Sequence, residues 1–431
     1  MRIFIKFFGC KINQYESESL RETLAANGNE IICGVEEADV LIVVSCAVTD
    51  TAVQKLRKYV ASAKSKKNNI KIIISGCAVD YLQKTGEYIF DAYCFKNEDK
   101  FKIPEFIARM DNNPVDNNIL KSNSVSGFDS HSRGLIKIQD GCDNFCSYCV
   151  IPYLRNRLVS RPDFEIINEF EMLLNNGYTE IILTGINISK YDYNGISLEG
   201  LLKKIIVIKK DFRIRISSIN LRGISDRLMN LMKNSSKICP HLHISLQSGS
   251  DKILKLMNRK YSASEYLDAI FKLKENIPDI GLTTDLIIGF PGESDKDFFE
   301  TCEFVKKIGF GRIHIFPYSD RIITASYKMS DKISNQTKKM RCSEIKKIAL
   351  FLQEKFIADR IGKTYSVVPE SAYDGSNQET LKCKKIKPVF GYTENYIRGV
   401  VKNYASNNDK NFFQAKISGL DRENNCAAFD I

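Results

Sequence analysis

The sequence is first informative for what it does not contain. Among its 431 residues there is no run of 18 apolar residues, so no membrane-spanning helix is expected. Residues 1–8 are apolar, but Arg2 and Lys6 interrupt them and no small-residue cleavage site follows. That segment reads as a first strand, not a signal peptide. A disulfide framework is also missing. The thirteen cysteines are odd in number and unevenly spaced, and no secretory signal accompanies them. These absences point to a cytoplasmic chain. In a reducing compartment its thiols are buried structural groups, metal ligands or catalytic groups, and spacing has to decide which. No close internal repeat is visible either.

What is present describes an ordinary globular protein, 43% hydrophobic and 27% charged. Its length exceeds one ordinary core, so two or three domains are expected. The formal charge is +11, from 63 basic and 52 acidic residues. Such a balance suits an anionic partner such as nucleic acid, and it equally suits a merely Lys-rich composition.

The fold class expected is α/β, with a small β domain at the end. In the first hundred residues, near-continuous apolar runs alternate with helical segments: RIFIKFF (2–8), a helix over 17–26, DVLIVVS (39–45), a helix over 51–63, and IKIIIS (70–75). Runs of this kind between helices predict a parallel sheet covered on both faces. Residues 113–132, rich in Asn, Ser and Asp, read as a linker after a first domain of residues 1–112. A second alternating region, 133–359, offers six strands: LIKIQ, EIILT, RIRIS, LHISL, TTDLII and RIHIF. Six strand–helix units in succession fit an open or partial β/α barrel. Beyond a Lys-rich helix, residues 360–431 carry short strands and turns and predict a small β-barrel.

The segment GCDNFCSYCVIP places Cys142, Cys146 and Cys149 in a C-x3-C-x2-C array just after the first barrel strand. Three thiolates on one loop can bind three irons of a four-iron cluster and leave the fourth open to an amine and a carboxylate. Other cluster and zinc sites use two or four cysteines at different spacings. The alternatives are a chance group of thiols or a zinc site completed from elsewhere. With Tyr148 before the third cysteine, the array resembles the radical S-adenosylmethionine (SAM) superfamily. The resemblance implies that reduction of this cluster cleaves SAM to a 5′-deoxyadenosyl radical, which takes a hydrogen from the substrate. Later strand ends fit a SAM site at the C-terminal face of the barrel: Thr184 and Gly185, Gln247 and Ser248 in LQSGSD, and Asp285 and Gly289 in DLIIGFPGES. His241 and His243 face one side of a strand. No third ligand accompanies them, so a structural or pocket-lining role is expected.

Cys10, Cys46 and Cys77 each lie just past a predicted parallel strand. In an open α/β sheet those ends share one edge, where ligands bind. A second cluster is one reading and small buried hydrophobes at strand ends the other. Periodicity admits Cys33 and Cys94 as well. FGCKINQYESE, SCAVTDTA and SGC resemble the N-terminal motifs of the methylthiotransferases, and the match continues through IQDGCDNFCSYCVIPYLR, HLHISLQSGSD and GFPGES. The resemblance implies Cys10, Cys46 and Cys77 as ligands of an auxiliary four-iron cluster. It leaves Cys33, Cys94, Cys239, Cys302, Cys342, Cys383 and Cys426 structural.

GYTENYIRG resembles the TRAM domain, an RNA-binding barrel of this family. Nearby basic residues Lys384, Lys385, Lys387, Arg398 and Lys402 interleave with Tyr392, Tyr396 and Tyr404. They read either as phosphate and base contacts or as solvated lysines around a tyrosine core. GCKINQYESE and SCAVTD are most similar to the branch acting on N6-threonylcarbamoyladenosine (t6A) in tRNA. The family resemblance therefore implies two four-iron clusters, SAM, tRNA, and a reductant protein such as flavodoxin or ferredoxin. It implies no catalytic His or Asp triad, because the cofactors carry the chemistry. Rival readings are the isopentenyladenosine branch, a ribosomal-protein aspartate as substrate, and a non-enzymatic iron–sulfur RNA-binding protein. Departures from the family pattern fall in PYSDRIITAS, at Asn156, and in GINISKYDYNG.

Overall fold

The computed structural model describes residues 1–87, 91–111, 124–128, 132–370, 389–401 and 412–431. Most of the expected linker lies outside them, as do Cys383, Lys384, Lys385, Lys387, Lys402 and Tyr404. The chain forms two compact units. One holds Met1–Ser126, Gln139–Val159 and Ser319–Met329; the other holds Gly127–Ile138, Ser160–Tyr318 and Ser330–Ile431.

The first unit is built on five parallel strands: β1 (Arg2–Phe8), β2 (Glu30–Ile32), β3 (Val40–Ser45), β4 (Lys71–Ser75) and β5 (Tyr93–Phe95), in the order β2-β1-β3-β4-β5. Every residue of β3 is buried. Alternation along it divides the core in two. Leu41 and Val43 pack with Leu56, Val60, Ile72 and Ile74. Val40 and Ile42 pack with Ile3, Ile5, Leu24, Ile73, Ile103 and Ile107. Helices α1 (Lys11–Ala26), α2 (Asp50–Lys66), α3 (Cys77–Thr85) and α4 (Ile103–Met110) supply the outer members of these layers. Each buried Leu, Ile or Val contributes about 1.5–3 kcal/mol. Helix α2 starts where Thr49 accepts the Ala52 N–H at 3.3 Å, with Asp50 in its first turn and Lys64 and Lys66 in its last. Parallel order brings the ends of β1, β3 and β4 to one edge, and each of the three is followed within two residues by a cysteine.

The second unit holds the curled half-barrel. One sheet runs in the order β11-β8-β6-β7, from β6 (Arg133–Asp140), β7 (Val159–Ser160), β8 (Glu180–Gly185) and β11 (Arg213–Ile216). Between β8 and β11 a small hairpin forms from β9 (Asp192–Tyr193) and β10 (Ile196–Ser197). The chain breaks for one residue at Ser217 and resumes as β12 (Ser218–Ile219). From there β13 (His241–Ile244), β14 (Gly281–Ile288) and β15 (Arg312–Pro317) add in parallel. After a long helix (Asn335–Ala358), five strands close a small barrel in the order β16-β17-β18-β20-β19: β16 (Thr364–Pro369), β17 (Val389–Thr393), β18 (Arg398–Val401), β19 (Phe413–Asp421) and β20 (Cys426–Asp430). Its core holds Tyr365, Val367, Ile397, Ile417 and Phe429.

A buried carboxylate joins the two sheet systems of this unit. Glu180 on β8 accepts from Arg213 and Arg215 on β11 at 2.5–2.9 Å. Burial pushes its carboxyl up, but the two guanidinium groups outweigh burial and hold it well below the usual carboxylate range. The same arginines donate to small-barrel carbonyls, Arg213 to Ser366 and Tyr392, Arg215 to Thr393 and Glu394. Tyr392 and Tyr396 stack on each other at 4.7 Å, and Tyr396 stacks on His241 at 4.3 Å. Of the two readings open for these tyrosines, the structure gives the packed one. Among the described residues no helix is long and apolar enough to cross a membrane.

Candidate active site

At the sheet edge of the first unit, two glycines let neighbouring turns close on each other. Gly9 has φ +127°, and a Cβ there would lie 2.4 Å from Cβ of Cys46. Gly76 has φ +95°, and its Cβ would lie 2.6 Å from the Ser45 carbonyl. Only glycine tolerates both the backbone angle and the approach. Cys10 therefore caps α1, Cys77 opens α3, and both come beside Cys46. Cys46 and Cys77 are buried, while Cys10 is open to solvent on one side. The three thiols feel one another. Burial, then the Cys10 and Cys77 thiols, push Cys46 up to about 12. Desolvation pushes up Cys10 as well, offset in part by the Asn13 backbone N–H and reinforced by Cys77. N–H groups point at the sulfurs: Val48 at Cys46 (3.4 Å), Arg155 Nε at Cys77 (3.2 Å) and Asn97 Nδ2 at Cys77 (3.6 Å). Such donors suit sulfurs that carry negative charge, as metal-bound sulfurs do. Cys33 follows β2 and Cys94 lies within β5, and both are exposed.

The local cysteine array belongs to the same unit. Gly141, at φ +83°, sits where a Cβ would fall 1.9 Å from the Arg157 carbonyl. The loop thus folds back on the chain that follows it. Cys142 N–H donates to the Arg155 carbonyl at 3.3 Å, Cys149 N–H to the Cys146 carbonyl at 2.9 Å, and the short helix α5 (Ile151–Leu154) closes the return. All three cysteines are half-buried. The Ser147 carbonyl, beside Tyr148, accepts from Ser326 N–H at 2.8 Å.

Arg155 was not singled out by sequence. Its guanidinium is buried and donates to Cys77, to Glu16 through both Nη atoms (3.0 Å each), to Asp140 (2.8 Å) and to Asn97 (2.9 Å). The available signal lay in α1. Its buried face includes Asn13, Glu16 and Ser17, polar residues at core-facing spacing. Arg321, in the atypical PYSDRIITAS segment, is also buried. It lies 3.8 Å over the Tyr81 ring and 3.6 Å from Asp50, and its Nε and Nη2 have no hydrogen-bond partner among the described residues.

Apart from Tyr148, the expected SAM residues lie in the second unit: Asp285 is inside β14, Gly289 follows it directly, and Gln247 and Ser248 lie three and four residues past β13. Thr184 and Gly185 close β8. Gln247 adopts φ +75° and exchanges backbone hydrogen bonds with Asp285 (2.9 Å) and Ile287 (3.0 Å). Its side-chain Oε1 is buried with no partner among the described residues. Ser248 Oγ lies 3.2 Å from Thr301 Oγ1. Gly289, at φ +75°, leaves room for Lys338, whose Cγ would lie 2.4 Å from a Cβ. Asp285 pairs with His243 Nε2 at 3.1 Å. Thr283 Oγ1 sits 3.0 Å from both His241 Nε2 and His243 Nδ1, which gives the two histidines partners within the barrel. The GINISKYDYNG loop folds on buried Asn187, whose Oδ1 accepts from Ser189 and Asn220.

No three His, Cys, Asp or Glu side chains among the described residues are grouped as one metal ion would need. A cluster offers a different iron to each thiolate, so its ligands need not share a point.

Known proteins agree with this architecture. Residues 2–92 match the Uncharacterized protein family UPF0004 and residues 136–305 the Radical SAM superfamily. The threonylcarbamoyladenosine tRNA methylthiotransferase MtaB of Thermotoga maritima is 36% identical over 378 residues, 85% of this chain and 86% of that protein. The tRNA-2-methylthio-N(6)-dimethylallyladenosine synthase of Endomicrobium trichonymphae is 34% identical over 390 residues, 87% and 90% of the two chains. The radical SAM methyltransferase TsrM of Kitasatospora setae shares the fold, with TM-score 0.55 at 12% identity over 76% of this chain and 77% of its own. With both family segments in chain order and relatives this similar over most of its length, the chain belongs to the radical SAM methylthiotransferases.

Proposed function

We propose that this enzyme converts t6A beside the tRNA anticodon, position 37, to 2-methylthio-t6A. The observation that carries the reading is the pair of cysteine triads in one unit: Cys10, Cys46 and Cys77 at a sheet edge, and Cys142, Cys146 and Cys149 on one loop. Each triad would hold one four-iron cluster. The first triad fits a cluster because its sulfurs face N–H donors and its glycines remove the atoms that would block the approach. Bound there, the clusters and two SAM molecules would supply the electron, the sulfur and the methyl group.

The residues of the chain do the rest. Gln247, with its buried unpartnered Oε1, would accept a hydrogen bond from SAM. Thr184, Gly185, Ser248, Asp285 and Gly289 would line the same site, with Tyr148 beside the loop cluster. The small barrel would grip the tRNA. The t6A branch is supported by GCKINQYESE and SCAVTD, and by the 36% identity to the Thermotoga maritima protein.

The test is mass spectrometry of nucleosides from t6A-containing tRNA after incubation with reconstituted enzyme, SAM and reductant. 2-Methylthio-t6A is expected. Thiomethylation of isopentenyladenosine tRNA alone would reassign the branch, and thiomethylated protein aspartate would remove tRNA from the reading.

A further inference from the structure

Arg155 lies six residues after Cys149, yet its side chain serves the other triad. Its backbone carbonyl holds Cys142 N–H, so the main chain belongs to the loop. Its Nε donates to Cys77 Sγ at 3.2 Å. The remaining N–H groups are taken by Glu16, Asp140 and Asn97. Glu16 lies on α1, six residues after Cys10, and Asp140 lies two residues before Cys142. One buried guanidinium thus touches the segments that carry Cys10, Cys77, Cys142 and Cys149. Asn97 repeats the arrangement, donating to Cys77 Sγ at 3.6 Å and to Asp80 at 2.8 Å.

Two side-chain N–H donors on one buried sulfur suit a metal-bound Cys77 better than a free one. A neutral thiol is a weak acceptor, and a buried guanidinium N–H spent on one gains little. A metal-bound thiolate is a strong acceptor, and a charge-assisted bond to it is about twice as strong as a neutral one. Hydrogen bonds to cluster sulfurs also favour the reduced, more negative state. Lysine could replace this group only in part. A point charge on a flexible stem cannot meet four acceptors held in a planar fork.

We propose that Arg155 is a positioning residue that donates to the Cys77 thiolate of the auxiliary cluster, raising that cluster's reduction potential and tying the two cysteine sets into one frame. This rests on the reading that Cys10, Cys46 and Cys77 hold a cluster.

The test uses the full chain carrying Cys142→Ala/Cys146→Ala/Cys149→Ala, so that only the auxiliary site loads. Arg155, Arg155→Lys and Arg155→Met forms are reconstituted anaerobically. Iron is counted, and the midpoint potential is read by electron paramagnetic resonance during a redox titration. The expected result is about four irons per chain in the Arg155 form, with the potential falling in the order Arg, Lys, Met. Retention of iron by the Lys variant and its loss from the Met variant would support the same role. A reciprocal chain, Cys10→Ala/Cys46→Ala/Cys77→Ala, reports the loop cluster, whose potential is expected to stay in place. Equal auxiliary potentials in all three loaded forms would overturn the proposal. So would a shift confined to the loop cluster, since a residue that only shapes its own loop would act there. Absence of iron from the Arg155 form itself would sink the underlying assignment of Cys10, Cys46 and Cys77. That failure is distinct from a loaded cluster indifferent to Arg155.

Discussion

The two cysteine triads reach similar ends by opposite routes. Cys142, Cys146 and Cys149 span eight residues, and one loop folded around Gly141 presents them. Cys10, Cys46 and Cys77 span 68 residues and meet only because three parallel strands finish at one edge. The loop triad depends on local backbone. The edge triad depends on the whole core of the first unit, from Ile3 to Ile107. Thiols brought together by a sheet are held only as firmly as the sheet, and any loss of packing there moves them apart.

The comparison can be broken most sharply by deleting each triad. Replacing Cys142, Cys146 and Cys149 by alanine should lower iron from about eight to about four per chain and abolish SAM cleavage. Replacing Cys10, Cys46 and Cys77 should also leave about four irons. In that variant SAM cleavage should persist and thiomethylated product disappear. Loss of all iron and of SAM cleavage from each variant alone would mean one shared site.

The glycines separate the two routes next. Gly9→Ala forces a Cβ against Cys46 at a backbone angle alanine avoids, and should cost about 1–3 kcal/mol, with iron lost from the edge triad. Gly141→Ala meets the Arg157 carbonyl and should strip the loop triad instead. Thermal melts and iron counts in the two single-triad backgrounds would show whether each effect stays with its own triad.

A smaller effect concerns pH. The Cys46 thiol, pushed up to about 12, is protonated near neutrality, and loading must displace that proton. A raised thiol pKa means that the ligating form grows as pH rises. Apparent iron affinity of the edge triad should therefore increase about tenfold per pH unit for this proton alone. Iron uptake that is flat between about pH 7 and 9 would show that Cys46 is already a thiolate. The smallest effect is expected of Thr49→Ala, which removes the α2 cap three residues past Cys46. It should lower stability by about 1 kcal/mol without loss of iron, as read by melting and iron count.

Much of this was legible in the sequence because it was local or periodic. RIFIKFF is β1 to the residue, and the C-x3-C-x2-C spacing declares its own chemistry. The edge triad was half legible. Strand ends could be predicted, but Cys33 and Cys94 stood on equal terms with the others, and the close approach at Gly9 and Gly76 that brings the turns of Cys10 and Cys77 to Cys46 left no trace in the periodicity. Helix α1 begins at Lys11 rather than residue 17 because its first buried turns mix Asn13, Glu16 and Ser17 with Ile12 and Tyr15, and apolar periodicity does not register them. The link from Arg155 to Glu16 spans 139 residues and leaves no periodic trace. Tyr392 and Tyr396 show the opposite limit. Their spacing beside basic residues suited base stacking, while in the structure their partners are His241, Arg133 and Arg215.

The small barrel looks like an appendage that could be cut away or exchanged, and its docking contacts make it a poor one to transplant. Arg213 and Arg215 spend side-chain donors on carbonyls of Ser366, Tyr392, Thr393 and Glu394. A chain ended at residue 359 would strand those guanidinium groups beside Glu180 and bare the face that Tyr396 covers on His241. A chimera would need the arginine pair, Glu180 and the GYTEN turn moved together. Within this unit, the boundary that evolution or an engineer can shuffle runs around that charged joint, not through it.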